Sequence, residues 1–158
     1  MSLLDDLHQI CIEKGVSIAV AESCTSGLIA SKLSQKSGSS TFFKGGVVAY
    51  QNEIKANVLG VSQLVIDKKT EVSSEVVTQM AEGVKKSFSS DYSVATTGYA
   101  GPTGETNNNP IGTVFIAISN SVNTKVERFV FSGDRQSVVN QSSEKSLELL
   151  YSAIKKQK

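Results

Sequence analysis

Residues 16–33 read VSIAVAESCTSGLIASKL, and this stretch decides the fold. Its first six residues (16–21) are a β-branched run typical of a buried strand, and the residues after Gly27 fit a helix that ends near Gly38. GGVVAY (45–50) predicts the next strand. Because a strand, a helix and a strand follow one another within about 35 residues, they predict a βαβ unit with two parallel strands.

The rest of the chain continues the alternation of helices and strands. We expect a helix at 3–14 that stops at Gly15, a short helix closed by Gly60, a helix capped by Ser73 or Ser74, a strand at 92–97, a hairpin of GTVFIAIS with KVERFVFS, and a last helix from about Asp134. These elements predict a single α/β domain over residues 1–158. Helices cover both faces of a mixed, mostly parallel sheet in three layers, and the C-terminal hairpin is antiparallel.

Charge and composition argue against several classes of partner. The 16 basic and 15 acidic residues are interspersed and leave a net charge of +1, without the basic stripe of a nucleic-acid-binding surface. No apolar stretch is long enough to span a bilayer, and no signal peptide is recognisable. Two cysteines do not make a disulfide framework. We therefore expect a cytoplasmic protein that contacts neither nucleic acid nor membrane.

The count of histidines restricts the chemistry. With one histidine and two cysteines, a zinc site of the His/Cys type is nearly excluded, and we predict neither a metal nor a cofactor. A triad of the Ser-His-Asp or Cys-His type would need His8, which we expect on the exposed face of the first helix. An acid–base catalyst is otherwise a lysine, a carboxylate or a tyrosine, or it comes from a partner.

ESCTSG follows the first strand and allows two interpretations. In one, Ser23 or Thr25 caps the helix that follows. In the other, free N–H groups at the start of the helix bind an oxyanion or phosphate, and Ser23 is a nucleophile. Cys24 is a rival nucleophile, but no histidine is available to ionise it, so we expect it to pack against the sheet.

Polar residues also follow the later strands, where α/β proteins place their ligands. Tyr50 ends one strand, and Lys55 lies on the helix after it, where partial burial would lower its pKa and make it a base. The loop Gly98–Pro110 is rich in glycine and can bring backbone N–H groups close to an anion. In SGDR (132–135), Asp134 can cap the last helix and Arg135 can bind a phosphate. Taken singly, each has a purely structural alternative: a solvated side chain or a turn. Together they favour acyl transfer by a Ser/Lys pair on a phosphorylated substrate.

Several motifs, in order, resemble the CinA C-terminal domain family: AESCTSGLIASKL, GSSTFFKGGVVAYQNEIKANVLGV, VSSEVVTQMAEG, TTGYAGPTGE…PIGTVFIAI and FSGDR. The resemblance covers nearly the whole chain. Active members of this competence/damage-inducible family are nicotinamide mononucleotide deamidases. The resemblance therefore implies hydrolysis of the carboxamide of nicotinamide mononucleotide to nicotinate mononucleotide and ammonia, in pyridine nucleotide salvage.

The resemblance also implies roles for individual residues. Ser23 matches the nucleophile, Lys55 the base and Tyr50 an assisting group. The residues expected around the nucleotide substrate are Ser40, Thr97, Arg135, Thr25, Gly27, Gly98 and Gly101. Family members form oligomers, so a homo-oligomer is expected.

The chain departs from the family pattern at two places. Ser26 stands where a glycine is usual, and Thr103, Gly104 and Glu105 replace a glycine-rich run. A serine adds a Cβ where the backbone approaches a ligand, and Glu105 would repel a phosphate. Two alternatives to the amidase therefore stay open: a non-catalytic nucleotide- or phosphate-binding module, and a partner domain linked to competence or the DNA damage response.

Overall fold

The computed structural model describes residues 2–106 and 108–157, so Asn107 of the predicted loop lies outside the described residues. In chain order, the elements are α1 (Leu3–Lys14), β1 (Ile18–Glu22), α2 (Leu28–Leu33), a 3₁₀ helix (Ser39–Thr41), β2 (Phe43–Val48), α3 (Asn52–Leu59), α4 (Gln63–Lys69), α5 (Ser74–Phe88), β3 (Tyr92–Gly98), β4 (Thr113–Ser119), β5 (Thr124–Val130) and α6 (Arg135–Lys156). None of the described helices has both the length and the apolar character needed to cross a bilayer.

The five strands form one sheet in the order β2-β1-β3-β4-β5. The central strand β1 is parallel to both of its neighbours, and Val20 lies beside Gly46 on one side and Val94 on the other. β4 is antiparallel to β3 and to β5, so four of the five strands point the same way. The predicted mixed, mostly parallel sheet with a C-terminal hairpin is confirmed.

Each face of the sheet carries its own core because successive side chains of a strand point to opposite faces. Ile18 and Val20 of β1 belong to the cluster that α1, α2 and α6 cover. Ala19 and Ala21 belong to the cluster that α3, α4 and α5 cover. The predicted three layers are therefore present, with small alanines on the face against which α5 packs.

Helix caps explain most of the element boundaries. Ser73 accepts a hydrogen bond from the Val76 N–H at the start of α5, and Asp134 accepts one from the Ser137 N–H at the start of α6. Gly15 ends α1 in the left-handed conformation that glycine adopts readily. These caps confirm three predicted boundaries.

Three details of the fold differ from the sequence-based expectations. The helix α2 ends at Leu33 rather than near Gly38, because the Ser34 hydroxyl bonds to the Ala30 and Ser31 carbonyls and competes with the helical pattern. The helix α4 was not predicted, since its seven residues are too few to show a clear periodicity.

The third difference concerns His8, whose predicted exposure is wrong. His8 is half-buried, and its ring packs edge-on against Phe42 with the ring centroids 5.2 Å apart. The connection between α2 and β2 folds back over α1 and covers the imidazole, which the pattern of one helix does not reveal.

Gly83 provides a test of the contact between α5 and α3. A Cβ at this position would lie 2.0 Å from the backbone oxygen of Leu59, too close for any side chain. Gly83→Ala should therefore lower the free energy of unfolding by about 2 kcal/mol, as overpacking against rigid backbone does. Chemical denaturation measures the change.

The matched control is Ser87→Ala, on the exposed side of α5. Its free energy of unfolding should stay within about 0.5 kcal/mol of the wild-type value. If Gly83→Ala were equally stable, α5 and α3 would not approach each other this closely.

Candidate active site

The predicted site residues meet in a cavity at the carboxyl ends of the parallel strands. The cavity has a volume of about 570 Å³, enough for a small ligand. Ser23 follows β1, and Thr97 with Gly98 ends β3. The predicted residues that line it are Ser23, Tyr50, Lys55, Thr97, Gly98 and Arg135. The folded chain thus brings together side chains from four separate segments of the sequence.

Glu22 is the last residue of β1, and its side chain caps the helix α2 that follows. Its carboxylate is fully buried and accepts two hydrogen bonds of 2.9 Å, from the backbone N–H groups of Ile29 and Ala30. The N-cap residue of α2 is Gly27, which has no side chain that could cap the helix. The interpretation of Ser23 or Thr25 as the cap is therefore wrong, because the Glu22 carboxylate already accepts hydrogen bonds from the N–H groups at the start of the helix.

This arrangement leaves the turn between Glu22 and α2 available for other contacts. The hydroxyl of Thr25 bonds to that of Thr96 at 2.8 Å and fixes the turn to β3. Among the described residues, the N–H groups of Cys24, Thr25 and Gly27 donate to no carbonyl or carboxylate. Unpaired N–H groups beside a serine can stabilise an oxyanion.

Lys55 lies at the floor of the cavity and is only 1% exposed. Its amine donates one hydrogen bond, of 3.2 Å, to the backbone oxygen of Tyr50. Burial lowers the pKa of Lys55 below its usual value, and the negative charge of Glu71 offsets part of that effect. A lysine with a lowered pKa is deprotonated more readily, and its neutral amine can serve as a base.

Arg135 joins two sides of the cavity mouth. Its guanidinium donates to the Gly101 carbonyl and to the Tyr50 hydroxyl, each at 2.7 Å. Tyr50 is half-exposed, so this bridge lies nearer to solvent than Lys55 does. A planar guanidinium at an open rim is well suited to bind a phosphate.

The thiol of Cys24 is buried, as predicted. Burial raises its pKa to about 12, so the sulfur stays protonated near neutral pH. A protonated thiol is a poor nucleophile, which leaves Ser23 as the nucleophile that the cavity offers.

The sequence did not point to several residues that line the cavity, among them Glu71 and Tyr99. Glu71 follows α4, the helix that was not predicted, and its backbone oxygen accepts a hydrogen bond of 2.6 Å from the Thr97 hydroxyl. Tyr99 directly follows β3 in a position where polar loop residues were expected. In the sequence, Tyr99 is close to the end of a predicted strand and Glu71 is close to the predicted cap at Ser73. Such closeness is by itself only a weak indication of a site residue.

Some predicted residues lie outside this cavity. Thr25 and Gly27 line a neighbouring hollow that shares Cys24 and Arg135 with it. Ser40 is exposed and precedes β2, so it lies at the amino ends of the parallel strands, whereas the cavity lies at their carboxyl ends. A single chain therefore does not bring Ser40 to Ser23. Among the described residues, no group of three or more His, Cys, Asp or Glu side chains is arranged to hold a metal ion.

Comparison with known sequences relates the chain to one family. A sequence profile described as the CinA C-terminal domain matches residues 1–154. A CinA-like protein of Flavobacterium psychrophilum is 43% identical over 150 residues, which are 95% of this chain and 36% of that protein. A CinA-like protein of Desulfotalea psychrophila is 42% identical over 142 residues, 90% of this chain and 34% of that protein. The chain thus spans about a third of the length of these curated relatives.

Solved structures share the whole fold. The crystal structure of competence damage-inducible protein A from Klebsiella pneumoniae matches with a TM-score of 0.95 at 31% identity, over 99% of this chain and 97% of that chain. A competence-damaged protein superfamily structure from Enterobacter cloacae matches with a TM-score of 0.92 at 34% identity, over 96% and 90% of the two chains.

Ser26 provides a test of strain at the turn before α2. Its φ is +42°, a left-handed conformation that costs a serine roughly 1–3 kcal/mol. Ser26→Gly should remove this strain and lose roughly 0.4–1 kcal/mol to the greater freedom of the unfolded chain. We expect the free energy of unfolding to rise by about 1 kcal/mol, measured by denaturation.

Ser31→Gly is the matched control, since Ser31 is exposed within the regular part of α2. There the same change should lower the free energy of unfolding by about 0.5 kcal/mol, because glycine is a poorer helix former than serine. Destabilisation by both variants would mean that Ser26 is not strained.

Proposed function

The chain belongs to the CinA C-terminal domain family, and from this premise we propose that it is a nicotinamide-nucleotide amidase. The reaction is hydrolysis of the carboxamide of nicotinamide mononucleotide, giving nicotinate mononucleotide and ammonia. The observation that carries the proposal is a buried lysine with a lowered pKa in the same cavity as a serine that caps no helix. A nucleophile and a base in one cavity are the parts that amide hydrolysis requires.

In the first half of the reaction, the Ser23 oxygen attacks the carboxamide carbon. The serine proton passes to Lys55, directly or through Tyr50. The free N–H group of Cys24, which lines the cavity beside Ser23, stabilises the negative oxygen of the tetrahedral intermediate. When the intermediate collapses, Lys55 returns the proton to the departing nitrogen. Ammonia leaves, and the nicotinoyl group stays bound to Ser23 as an ester.

In the second half, water replaces ammonia. Lys55 takes a proton from the water, whose oxygen attacks the ester carbon. The ester bond breaks, Ser23 recovers its proton from Lys55, and nicotinate mononucleotide is released. Lys55 is neutral at the start and at the end, so one base serves both halves.

The opposite end of the substrate carries a phosphate. Arg135 lies at the cavity mouth and belongs also to the neighbouring hollow, so it can bind the phosphate while the ring enters toward Lys55. The apolar surface of Val72 and the ring of Tyr99 provide walls for the nicotinamide ring. Homo-oligomerisation and a place for Ser40 near the substrate remain predictions from the family resemblance.

Ammonia release from nicotinamide mononucleotide tests the proposed activity. The wild-type chain should release ammonia, and Ser23→Ala should lower kcat by at least about a thousandfold, as loss of a nucleophile does. A coupled ammonia assay measures both rates.

Cys24→Ala is the matched control, since it removes the neighbouring thiol and leaves the serine in place. It should keep most of the wild-type turnover. A wild-type chain that binds nicotinamide mononucleotide without releasing ammonia would show instead that the site is a non-catalytic nucleotide-binding module.

The pH dependence tests the role of Lys55. Its amine acts as a base only when deprotonated, so kcat/KM should fall as the pH drops through the pKa of Lys55. Because burial lowers that pKa, this acid limb should lie below the usual lysine value of 10.5. Initial rates of ammonia release across pH locate the limb.

Two variants separate the basicity of Lys55 from its charge. Lys55→Arg keeps a positive charge but cannot lose its proton, so it should have no turnover at any pH. Lys55→Met should also be inactive but should fold with a higher free energy of unfolding, because it removes a buried amine that has one hydrogen bond. Normal turnover in Lys55→Arg would reject the lysine as base.

A further inference from the structure

Glu71 introduces a negative charge into a cavity whose other charged side chains are cationic. The described residues that line the cavity include Lys55 and Arg135, and Glu71 is the one carboxylate among them. Its segment is fixed in place, because the Glu71 backbone oxygen accepts a bond from Thr97 and the next backbone oxygen, of Val72, accepts one from Asn109. The backbone that carries Glu71 is therefore held in the wall of the cavity.

Glu71 forms no salt bridge within the part of the chain that the structure describes. Its charge nevertheless acts on two other lining groups. Burial and then the charge of Glu71 raise the pKa of Tyr99, and the same charge offsets part of the lowering that burial causes in the pKa of Lys55. Lys55 is buried, whereas Arg135 bridges the mouth of the cavity.

A carboxylate without an ion-pair partner repels an anionic ligand such as a phosphate and attracts a cationic one. The cavity thus has two different ends: a cationic mouth suited to phosphate and a negatively charged wall beside the base. A ligand that fits both ends is a zwitterion with its cation near Lys55.

We propose that Glu71 binds the positive ring nitrogen of the substrate and makes the site selective for N-ribosylated pyridinium amides over uncharged ring amides. The proposal rests on the amidase function, because the reacting carboxamide must lie beside Ser23 and Lys55. In the substrate, the charged nitrogen is meta to the carbon that bears the carboxamide, so placing the carboxamide at Ser23 brings the cation to the same end of the cavity as Glu71. The carboxylate also offsets the repulsion between the ring cation and Lys55 after that lysine has taken the serine proton.

The test compares two ligands that differ in ring charge. One is nicotinamide mononucleotide, and the other is the 5′-phosphate of a carbon-linked benzamide riboside, whose ring is uncharged. Dissociation constants are measured by calorimetry in a Ser23→Ala background, so that no substrate is consumed. Glu71→Gln should weaken binding of the cationic ligand about tenfold and change binding of the neutral ligand by less than about twofold.

Glu53→Gln is the matched control. Glu53 is exposed on α3, the helix that carries Lys55, and it does not line the cavity, so loss of its charge should change neither constant. Equal weakening of the two ligands by Glu71→Gln, or no weakening, would overturn the role of Glu71. Failure of the wild-type chain to release ammonia from nicotinamide mononucleotide, in the separate assay, would instead contradict the amidase function.

Discussion

The contact between the Glu22 carboxylate and the first N–H groups of α2 is the interaction on which the site depends. A buried carboxylate at the end of a central strand satisfies the two backbone donors of Ile29 and Ala30. Charged hydrogen bonds to a helix N-terminus are among the stronger ones in proteins. Because Glu22 caps the helix, the residues between the strand and the helix are not needed for capping, and the serine and the N–H groups of the turn can face the cavity.

The buried amine of Lys55 shows how function is set against stability in this fold. An amine at 1% exposure with a single hydrogen bond is an unfavourable interior group. The same desolvation lowers its pKa and makes it a base, so the cost and the chemistry have one cause. The strained turn at Ser26 is a second unfavourable feature in the same region. Unfavourable features that cluster around one cavity are typical of functional sites.

The family relationship extends over the whole fold of this chain but over only part of the curated relatives, which are longer proteins. Solved structures of the family match almost the full length of this chain, whereas the curated relatives are about three times as long. The comparisons therefore support the domain and its architecture. The amidase activity and the role of Glu71 are proposals supported by the chemistry of the cavity, and homo-oligomerisation is a prediction from the family resemblance.

The sequence by itself determined the order of the elements apart from α4, the parallel direction of β1 and β2, and most of the caps. These features depend on local patterns: β-branched runs, periodic apolar residues, and Ser, Asp or Gly at helix ends. It also indicated Ser23, Lys55 and Arg135, since each follows a strand or begins a helix at the edge where ligands bind.

Only the tertiary structure decided which of these residues share a cavity and what each can do there. It assigned the helix cap to Glu22, buried Lys55 almost completely, brought Glu71 to the cavity wall and left Ser40 near the amino end of β2. Burial and proximity depend on how distant segments pack, and a pKa depends on both. The sequence pattern does not specify burial or proximity directly. The residue types of the site could therefore be predicted, but their pKa shifts and their hydrogen-bond partners could not.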